Sequence, residues 1–404
     1  MKNRKQIISW CLYDFANSSY SAVIAAVVFP VYFTNVIASN ETGLGDLWWG
    51  RAVSISMAFV AITSPFLGGI ADYLKVRKRL LIVYTLISVV SVFCFSFLEK
   101  GMIYPSVFLI ILANIGMEGG LVFYNAFLPV IAEKCMYGRV SSWGFGIGYV
   151  GSIISLMIAL LLIKTGYIRF VWLSVSLFFL FFSIPAFLFL PEDGKNRKGF
   201  FKAGVKGLSL SIATFKEVVR KKNLKMFLTA YFVYEDGVNT VIVFSSIFAA
   251  TTLHFTKEEL IFLYLLVQFV ALIGSFVMAK PIDTLGPKRI IKYSLTLWLF
   301  VSVASYFVTA KSVFWLIAGV AGFGLGVIQS SSRALFASFI PVGRENDYFG
   351  IYSLVGKTSA VLGPVVFGIV SSQTGSQRPA VLSISSFFLL GLIFINFVKK
   401  EYKG

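Results

Sequence analysis

The sequence predicts an all-α membrane protein with twelve transmembrane helices in two six-helix halves. Twelve apolar stretches follow one another along the 404-residue chain with little polar sequence between them. A helix needs about 20 mostly apolar residues to cross the hydrocarbon core of a bilayer. The composition agrees, because 57% of the residues are hydrophobic and 13% are charged, against roughly 25% charged residues in soluble domains.

Helices are the expected spanning elements, because the hydrocarbon core offers no hydrogen-bond partner to open backbone groups. We number the predicted spans 1 to 12 in chain order. They are residues 6–38, 47–72, 79–98, 103–133, 140–164, 168–190, 223–250, 258–280, 288–308, 312–340, 347–371 and 378–398.

The distribution of lysine and arginine predicts the orientation. Basic residues cluster before span 1, after spans 2, 4, 6 and 8, and after span 12. With twelve crossings these segments share one side, which the positive-inside rule makes cytoplasmic. The net charge of +18 is therefore interpreted as a topology signal rather than a nucleic-acid surface. We expect a multi-pass protein of the plasma membrane, the inner membrane in a bacterium, with both termini in the cytoplasm.

A polar segment divides the predicted spans into six and six. The expected domains are an N-terminal half at 1–190, a basic cytoplasmic linker at 191–222 and a C-terminal half at 223–404. Two interpretations of Leu208–Val219 stay open. It is either a short amphipathic helix on the anionic cytoplasmic leaflet or part of a solvated basic linker.

The loops after spans 2 and 8 repeat one pattern. Asp72–Lys78 reads DYLKVRK and Asp283–Arg289 reads DTLGPKR, so an acid and two cations recur at the same spacing. Such a pattern suits a charge clasp, and its presence at equivalent places in two halves indicates a duplicated fold. With Lys357 in span 11 added, the expected gating residues are Asp72, Arg77, Lys78, Asp283, Lys288, Arg289 and Lys357.

These loops resemble the G-x-x-x-D-x-x-G-x-[RK]-[RK] signature of the major facilitator superfamily. The first copy has Gly68 but places Lys75 at the second glycine position. The second copy has Gly286 there but replaces the first glycine by Ala279. The resemblance implies a transporter in which spans 1, 4, 7 and 10 line a central cavity.

Three further blocks are similar to the family related to the fungal vacuolar effluxer of autophagy. They are residues 10–33, 123–132 and 332–364. Fungal members of that family are associated with moving amino acids out of the vacuole. The resemblance therefore implies a small polar or zwitterionic solute, with an amino acid as one example.

Polar residues inside the cavity-lining spans are candidates for solute binding, because ionisable groups in a membrane segment are costly and usually functional. Asp236-x-x-Asn239 in span 7 repeats Asp14-x-x-Asn17 in span 1. The expected solute-binding residues are Tyr13, Asp14, Asn17, Asn125, Asp236, Asn239, Gln329 and Arg333. The proton-coupling candidates are Glu118 and Glu235, because burial favours the neutral form of a carboxyl group and suits exchange of a proton.

Alternative roles stay open for three of these residues. Asp14 either contacts solute or pairs with Arg333 or Lys357 at the end of the bundle. Arg333 either binds solute or closes a gate, since it lies towards the cytoplasmic end of span 10. Glu118 either carries a proton or makes a structural hydrogen bond. The pair Gly363-Pro364 predicts a bend in span 11.

The sequence thus favours a monomeric secondary active transporter that moves a small solute by alternating access, with proton coupling as a further hypothesis. No GxxxxGK[ST] nucleotide site occurs. A single histidine argues against most membrane-embedded enzymes, and no cofactor or metal is expected. The alternatives are a multidrug or lipid exporter or scramblase of the same fold, and a membrane-embedded protein that does not transport. The expected partners are the solute and membrane lipids, without nucleic acid.

We predict opposite membrane sides for the linker and for the loop after span 3. In a variant without Cys11, Cys94 and Cys135, Lys216→Cys should react with an impermeant maleimide only after cells are opened. Lys100→Cys should react in sealed cells. Labelling of Lys216→Cys from outside would contradict the twelve-span topology.

Overall fold

The computed structural model describes residues 3–38, 44–192, 194 and 200–399, except for the side chains of 200–205 and of Lys257. Over these residues the chain is helical and contains no β-strand. The cytoplasmic placement of the termini and of most of residues 191–199 concerns positions outside this set and stays a prediction.

The long helices follow the predicted spans closely. Spans 1 to 6 are Arg4–Ile37, Leu44–Leu74, Arg77–Phe97, Ile103–Ile131, Lys134–Lys164 and Ile168–Phe189. Spans 7 to 12 are Lys222–Thr251, Lys257–Leu285, Pro287–Phe307, Lys311–Ser338, Glu345–Thr374 and Gln377–Asn396. A further helix, Phe200–Arg220, lies between spans 6 and 7 and is called the linker helix.

Eleven of the described helices are long and apolar enough to cross a membrane. Span 7 is the exception although it has 30 residues. It carries Glu235, Asp236 and Asn239 in its middle, so its apolar sequence is interrupted where the buried polar groups lie. The all-α membrane architecture predicted from the sequence is confirmed.

Two spans depart from a regular α-helix. In span 1, the turns Tyr20–Val27 and Phe33–Ile37 are wider, with each N–H bonded to the carbonyl five residues earlier. Such wide turns are rare and recur at functional sites. Span 11 consists of two pieces, Glu345–Thr358 and Leu362–Thr374. The interruption lies just before Pro364, which has no N–H to offer and clashes with the carbonyl four residues earlier.

Packing divides the chain into two compact units whose limits differ from the sequence halves. Unit 1 comprises Met1–Ala132, Ile147–Ile212 and Pro341–Leu354. Unit 2 comprises Glu133–Gly146, Ala213–Ile340 and Val355–Gly404. The first part of span 11 therefore packs within unit 1, and the first part of span 5 within unit 2. The six-plus-six division describes the sequence repeat and stays a prediction.

Equivalent aromatic contacts join the first and fourth spans of each half. In unit 1, the Trp10 and Tyr124 rings stack with centroids 4.6 Å apart, and the Trp10 indole N–H donates to the Tyr124 carbonyl oxygen at 2.9 Å. In unit 2, the Phe227 and Phe336 rings stack between spans 7 and 10 with centroids 6.1 Å apart, and the Tyr234 and Ser332 hydroxyls lie 2.7 Å apart. Buried aromatic pairs of this kind contribute about 0.5–1.5 kcal/mol beyond their area. They fix the helices that carry Asp14 and Asp236.

Candidate functional site

The Asp72 carboxylate, in the last turn of span 2, caps the start of span 11 within unit 1. It accepts hydrogen bonds from the Asn346 backbone N–H at 3.2 Å, the Asn346 side-chain amide at 2.6 Å and the Asp347 N–H at 2.8 Å. These N–H groups belong to the second and third residues of the helix, which have no partner inside it. A carboxylate there also meets the positive end of the helix dipole. We call this set of contacts the span 2 clasp.

Arg77 supports the span 2 clasp from the start of span 3. Its guanidinium donates to a Glu345 carboxylate oxygen at 2.9 Å and to the Ala126 carbonyl oxygen at 3.1 Å. The nearest Asp72 oxygen is 3.9 Å away. The Arg77 and Glu345 side chains are 4% and 7% exposed, so this is a buried ion pair. One guanidinium therefore joins spans 3, 4 and 11.

An equivalent contact occurs in unit 2, where Asp283 at the end of span 8 caps the start of span 5. The Asp283 carboxylate accepts from the Gly138 N–H at 2.7 Å, from the Arg139 N–H at 3.3 Å and from the Arg139 side-chain Nε at 2.8 Å. Gly138 and Arg139 are again the second and third residues of a helix, Tyr137–Lys164. We call this set the span 8 clasp. The two aspartates are the same position of the sequence repeat.

The remaining basic residues of the repeat differ between the copies. Lys78 donates to the Leu188 carbonyl oxygen at 3.3 Å. Lys288, the counterpart of Arg77, donates to the carbonyl oxygens of Asn396, at 3.0 Å, and of Val398. Arg289 is exposed. Of the repeated cations, the structure therefore brings only Arg77 into a clasp, and Arg139 supplies the guanidinium of the other.

The backbone explains the glycines of the repeated loop. Both positions of its second glycine have positive φ, 57° at Lys75 and 88° at Gly286. A residue with a side chain is disfavoured there by roughly 1–2 kcal/mol, so Lys75 carries local strain that Gly286 avoids. At the first glycine position, a Cβ on Gly68 would lie 2.8 Å from the Asn346 carbonyl carbon. The span 2 clasp therefore depends on close backbone approach.

In unit 2, two neighbouring acids of span 7 both interact with span 11. The fully buried Asp236 accepts from the Gly363 N–H at 2.9 Å and from the Leu362 N–H, at the start of the second piece of span 11. The Glu235 carboxyl interacts electrostatically with the Lys357 ammonium on the first piece. Asn239 is half-buried one turn further along. The sequence predicts that one of these neighbouring acids faces the cavity and the other pairs with a helix such as span 11, whereas here both interact with span 11.

The candidate residues of span 1 lie in a polar buried region of unit 1. The Asp14 carboxylate accepts from the Asn17 side-chain amide at 3.5 Å, and Asp14 is 6% exposed. The Tyr13 hydroxyl is 2.8 Å from the Thr85 hydroxyl in span 3. The second candidate region of this unit is on span 4, where Glu118 and Asn125 are half-buried.

Tyr20 links span 1 to span 4 next to Glu118. Its hydroxyl donates to the Asn114 side-chain oxygen at 2.6 Å, and the Asn114 amide donates to the Ser56 hydroxyl at 3.2 Å. The Glu118 carboxyl is near enough to Tyr20 to interact with it electrostatically. Tyr20 is also the first residue of the wide turn in span 1. Sequence reasoning missed Tyr20 and Ser56, since isolated hydroxyls in apolar spans give no distinctive pattern.

Arg333 in span 10 is bound to span 5 within unit 2. Its Nε donates to the Ser141 hydroxyl at 2.9 Å and a terminal nitrogen donates to the Ser141 carbonyl oxygen at 2.7 Å. The guanidinium lies 4.0 Å above the Phe145 ring and the residue is 3% exposed. Gln329, one turn earlier, is half-buried. In this conformation Arg333 therefore ties span 10 to span 5.

The comparison with known sequences is informative once this geometry is in place. The sequence family described as Vacuole effluxer Atg22 like matches residues 51–137 and 135–403. The chain belongs to this family. This Atg22-like protein is 29% identical over 417 residues to the uncharacterized MFS-type transporter YxiO of Bacillus subtilis, across 98% of this chain and 95% of the relative. It is 26% identical over 310 residues to autophagy-related protein 22-1 of Aspergillus fumigatus, across 68% of this chain and 50% of the fungal protein.

Solved structures share the fold of the Atg22-like protein. The human organic anion transporter MFSD10 superposes with a TM-score of 0.80 over 97% of this chain and 99% of that chain, at 15% identity. The proton:xylose symporter XylE gives a TM-score of 0.73 over 98% and 94%, at 14% identity. Together with the MFS-type relative YxiO, this shared fold confirms the resemblance to the major facilitator superfamily. The Atg22-like protein is a multi-pass membrane transporter of this superfamily rather than an enzyme.

We predict that Arg77→Gln will lower the free energy of unfolding by about 3–5 kcal/mol, because it leaves the buried Glu345 carboxylate without its cation. The matched control is Arg169→Gln, which breaks an exposed pair with Glu99 whose side chains are 62% and 60% exposed. That change should cost at most about 1 kcal/mol. Denaturant unfolding in detergent, followed by tryptophan fluorescence, measures both.

The double variant Arg77→Gln/Glu345→Gln should recover part of the loss, since no buried charge then stays uncompensated. Equal effects of Arg77→Gln and Arg169→Gln would contradict the importance of the buried pair.

Proposed function

We propose that the Atg22-like protein moves a small polar or zwitterionic solute by alternating access, and that the two clasps must open in each transport cycle. The observation that supports this proposal is the recurrence of one contact, a carboxylate on a helix start, at Asp72 and Asp283. Each clasp connects a span of one sequence half to a span of the other. A purely structural contact need not recur at both copies of a duplicated loop.

The energetics of the clasps suit a gate. Hydrogen bonds to a charged group contribute about 1.5–3 kcal/mol each, before the cost of burying the charge is subtracted. The buried Arg77 and Glu345 pair adds specificity more than stability, because desolvation offsets most of its attraction. The net cost of opening is therefore a few kcal/mol, which differential solute binding to the two states can supply.

Arg333 is proposed to act with the span 8 clasp. Both contacts hold the first part of span 5, through Ser141 and through Gly138. When span 5 moves, the guanidinium loses its Ser141 acceptors and becomes available to a solute carboxylate. Arginine suits this exchange, because its planar fork binds a carboxylate with two parallel hydrogen bonds. Arg333 would thus close a gate in one state and bind solute in the other, the two roles that the sequence left open.

The solute class follows from the buried polar groups. Asp14 and Asn17 present an acid and an amide on one face of span 1, which suits a solute ammonium group. Asp236 caps span 11 here, so Asp14 is the better candidate for that contact. The resemblance to a family whose fungal members are associated with moving amino acids out of the vacuole supports an amino acid as the proposed solute. The solutes in the names of the structural neighbours, an organic anion and xylose with a proton, belong to those proteins and do not identify the solute here.

For proton coupling we propose Glu118 before Glu235. Glu235 interacts with the Lys357 ammonium, so a structural pairing with span 11 competes with a proton role there. Glu118 interacts electrostatically with Tyr20, whose hydroxyl donates to Asn114 on the same span as Glu118. Glu118 also lies on span 4, which carries the solute-binding candidate Asn125. The protein is proposed to function as a monomer in the plasma membrane with both termini in the cytoplasm.

We predict that Asp72→Asn and Asp283→Asn will each open their own clasp. Spin labels at Arg79 and Val342 report on the span 2 clasp, and labels at Lys134 and Leu285 report on the span 8 clasp. All four positions are exposed. In double electron–electron resonance, each variant should add a longer interspin distance to its own pair.

The control for this experiment is Asp46→Asn, an exposed acid in the first turn of span 2. It should leave both distance distributions unchanged. A single short distance in both clasp variants would reject the gating role.

The solute is to be identified by a thermal-shift screen of amino acids, peptides, sugars, organic anions and organic cations. A ligand that binds the folded state raises its stability by mass action. Counterflow in proteoliposomes then tests transport, because saturable exchange stimulated by solute on the opposite side distinguishes a carrier from a channel. Absence of a shift and of counterflow with every amino acid would reject the proposed solute.

With a solute in hand, we predict that Glu118→Gln will abolish accumulation driven by an imposed pH gradient but keep solute exchange. Exchange involves no net proton movement, so it does not need the carboxyl group. Glu192→Gln, an exposed acid after span 6, is the matched control and should keep both activities. Accumulation that survives in Glu118→Gln would move the proton role to Asp14, Asp236 or Glu235, or would indicate an uncoupled carrier.

A further inference from the structure

The linker helix turns its large apolar side chains away from the protein. The residues that are buried are small or hydroxylated, apart from one valine: Gly207, Ser211, Thr214 and Val218. The residues that are exposed include a stripe of large apolar side chains, between 43% and 52% exposed: Leu208, Ile212, Phe215 and Val219. A helix in water would bury the large apolar side chains of the stripe and expose the small and hydroxylated residues.

The third face of this helix is basic. At 3.6 residues per turn, the buried face, the apolar stripe and the basic face follow one another at intervals of roughly 100° around the helix axis. The described residues of the basic face are Lys206, Lys216 and Arg220, all exposed. The single acid of the helix, Glu217, pairs with Lys221 at 2.6 Å. The helix therefore presents separate surfaces to protein, to an apolar medium and to negative charge.

The part of the linker helix up to Ile212 packs closely on span 2 within unit 1. The Ser211 hydroxyl donates to the Pro65 carbonyl oxygen at 2.8 Å. A Cβ on Gly207 would lie 2.5 Å from the Ile70 side chain and 2.9 Å from its Cα. Lys206 lies 5.7 Å from the centre of the Tyr73 ring. These contacts run along the end of span 2 from Pro65 to Tyr73, a stretch that includes Asp72, so this part of the helix is fixed beside the span 2 clasp.

We propose that the linker helix lies in the headgroup region of the cytoplasmic leaflet, where anionic lipid holds it and thereby favours the closed span 2 clasp. The apolar stripe enters the boundary of the acyl chains, and Lys206, Lys216 and Arg220 contact lipid phosphates. Each cation near an anionic surface adds to the attraction, which fades within a Debye length. Four large apolar residues side by side on one helix face argue against water as the medium around the stripe. The three cations on the neighbouring face favour a leaflet that contains anionic lipid.

The effect on the clasp rests on the proposed function, whereas the position of the helix does not. Because Gly207 and Ser211 fasten the helix to the turn before Asp72, a helix held at the membrane restrains that turn. Lipid charge is then a regulator of the transporter, acting outside the region of solute binding.

The position of the helix is tested with spin labels at Ile212 and Phe215 on the apolar stripe, and at Ala213 as the exposed control on the basic face. The full chain is reconstituted in phosphatidylcholine with or without phosphatidylglycerol. Collisions with oxygen report apolar surroundings, and collisions with the nickel complex NiEDDA report water. Labels at 212 and 215 should favour oxygen and the label at 213 should favour NiEDDA. Phosphatidylglycerol should lower NiEDDA collisions at 212 by about twofold or more.

The triple variant Lys206→Gln/Lys216→Gln/Arg220→Gln should lose this dependence on phosphatidylglycerol. If the label at 212 meets NiEDDA as often as the label at 213, the stripe lies in water and the proposal fails. If labels at 212 and 215 are shielded from both reagents, protein covers the stripe and the proposal also fails.

The effect on the clasp is measured with the labels at Arg79 and Val342 in the same liposomes. Phosphatidylglycerol should increase the short-distance population, and the triple variant should remove that increase. A helix that docks without changing this population would reject the regulatory part alone. A clasp that also fails to respond to Asp72→Asn would instead reject the gating proposal.

Discussion

The fold depends on carboxylates that cap helix starts supplied by other spans. Asp72, Asp283 and Asp236 lie on spans 2, 8 and 7, and each accepts backbone N–H groups from the beginning of another helix. A buried carboxylate needs compensation, and a helix start supplies N–H donors together with a favourable dipole. Backbone N–H groups therefore supply much of the compensation, and the Arg77 and Arg139 guanidinium groups add to it at the two clasps.

Two of these contacts coincide with the departures of the packing units from the sequence halves. Asp72 draws the first part of span 11 into unit 1, and Asp283 draws the first part of span 5 into unit 2. The third contact, at Asp236, acts inside span 11 and fixes the start of its second piece. A carboxylate that accepts backbone N–H groups thus caps the starts of spans 5 and 11 and also the second piece in the middle of span 11.

Hydropathy and charge were sufficient to predict the twelve spans and the duplicated loop, since long apolar runs and repeated Asp-x-x-x-x-basic-basic patterns are local signals. The importance of Asp72 and Asp283 was also accessible. Their partners were not, because the donors at Asn346, Asp347 and Gly138 are mainly backbone N–H groups, which every residue but proline carries. Glu345 was missed for a related reason. It follows Arg344 in a charged turn, and nothing local indicates that it pairs with Arg77, 268 positions away.

The two sequence halves share a duplicated pattern but differ in the continuity of their fifth helix. Asp14 and Asp236 occupy equivalent positions, and each lies against a glycine of the fifth span of its half, Gly148 and Gly363. Span 5 is a continuous helix there, whereas span 11 is interrupted at residues 359–361. A continuous helix transmits a displacement along its whole length, whereas one piece of an interrupted helix can rotate while the other stays in place. The duplicated copies are therefore mechanically unequal, and under the proposed alternating access the two halves would contribute different motions to the same cycle.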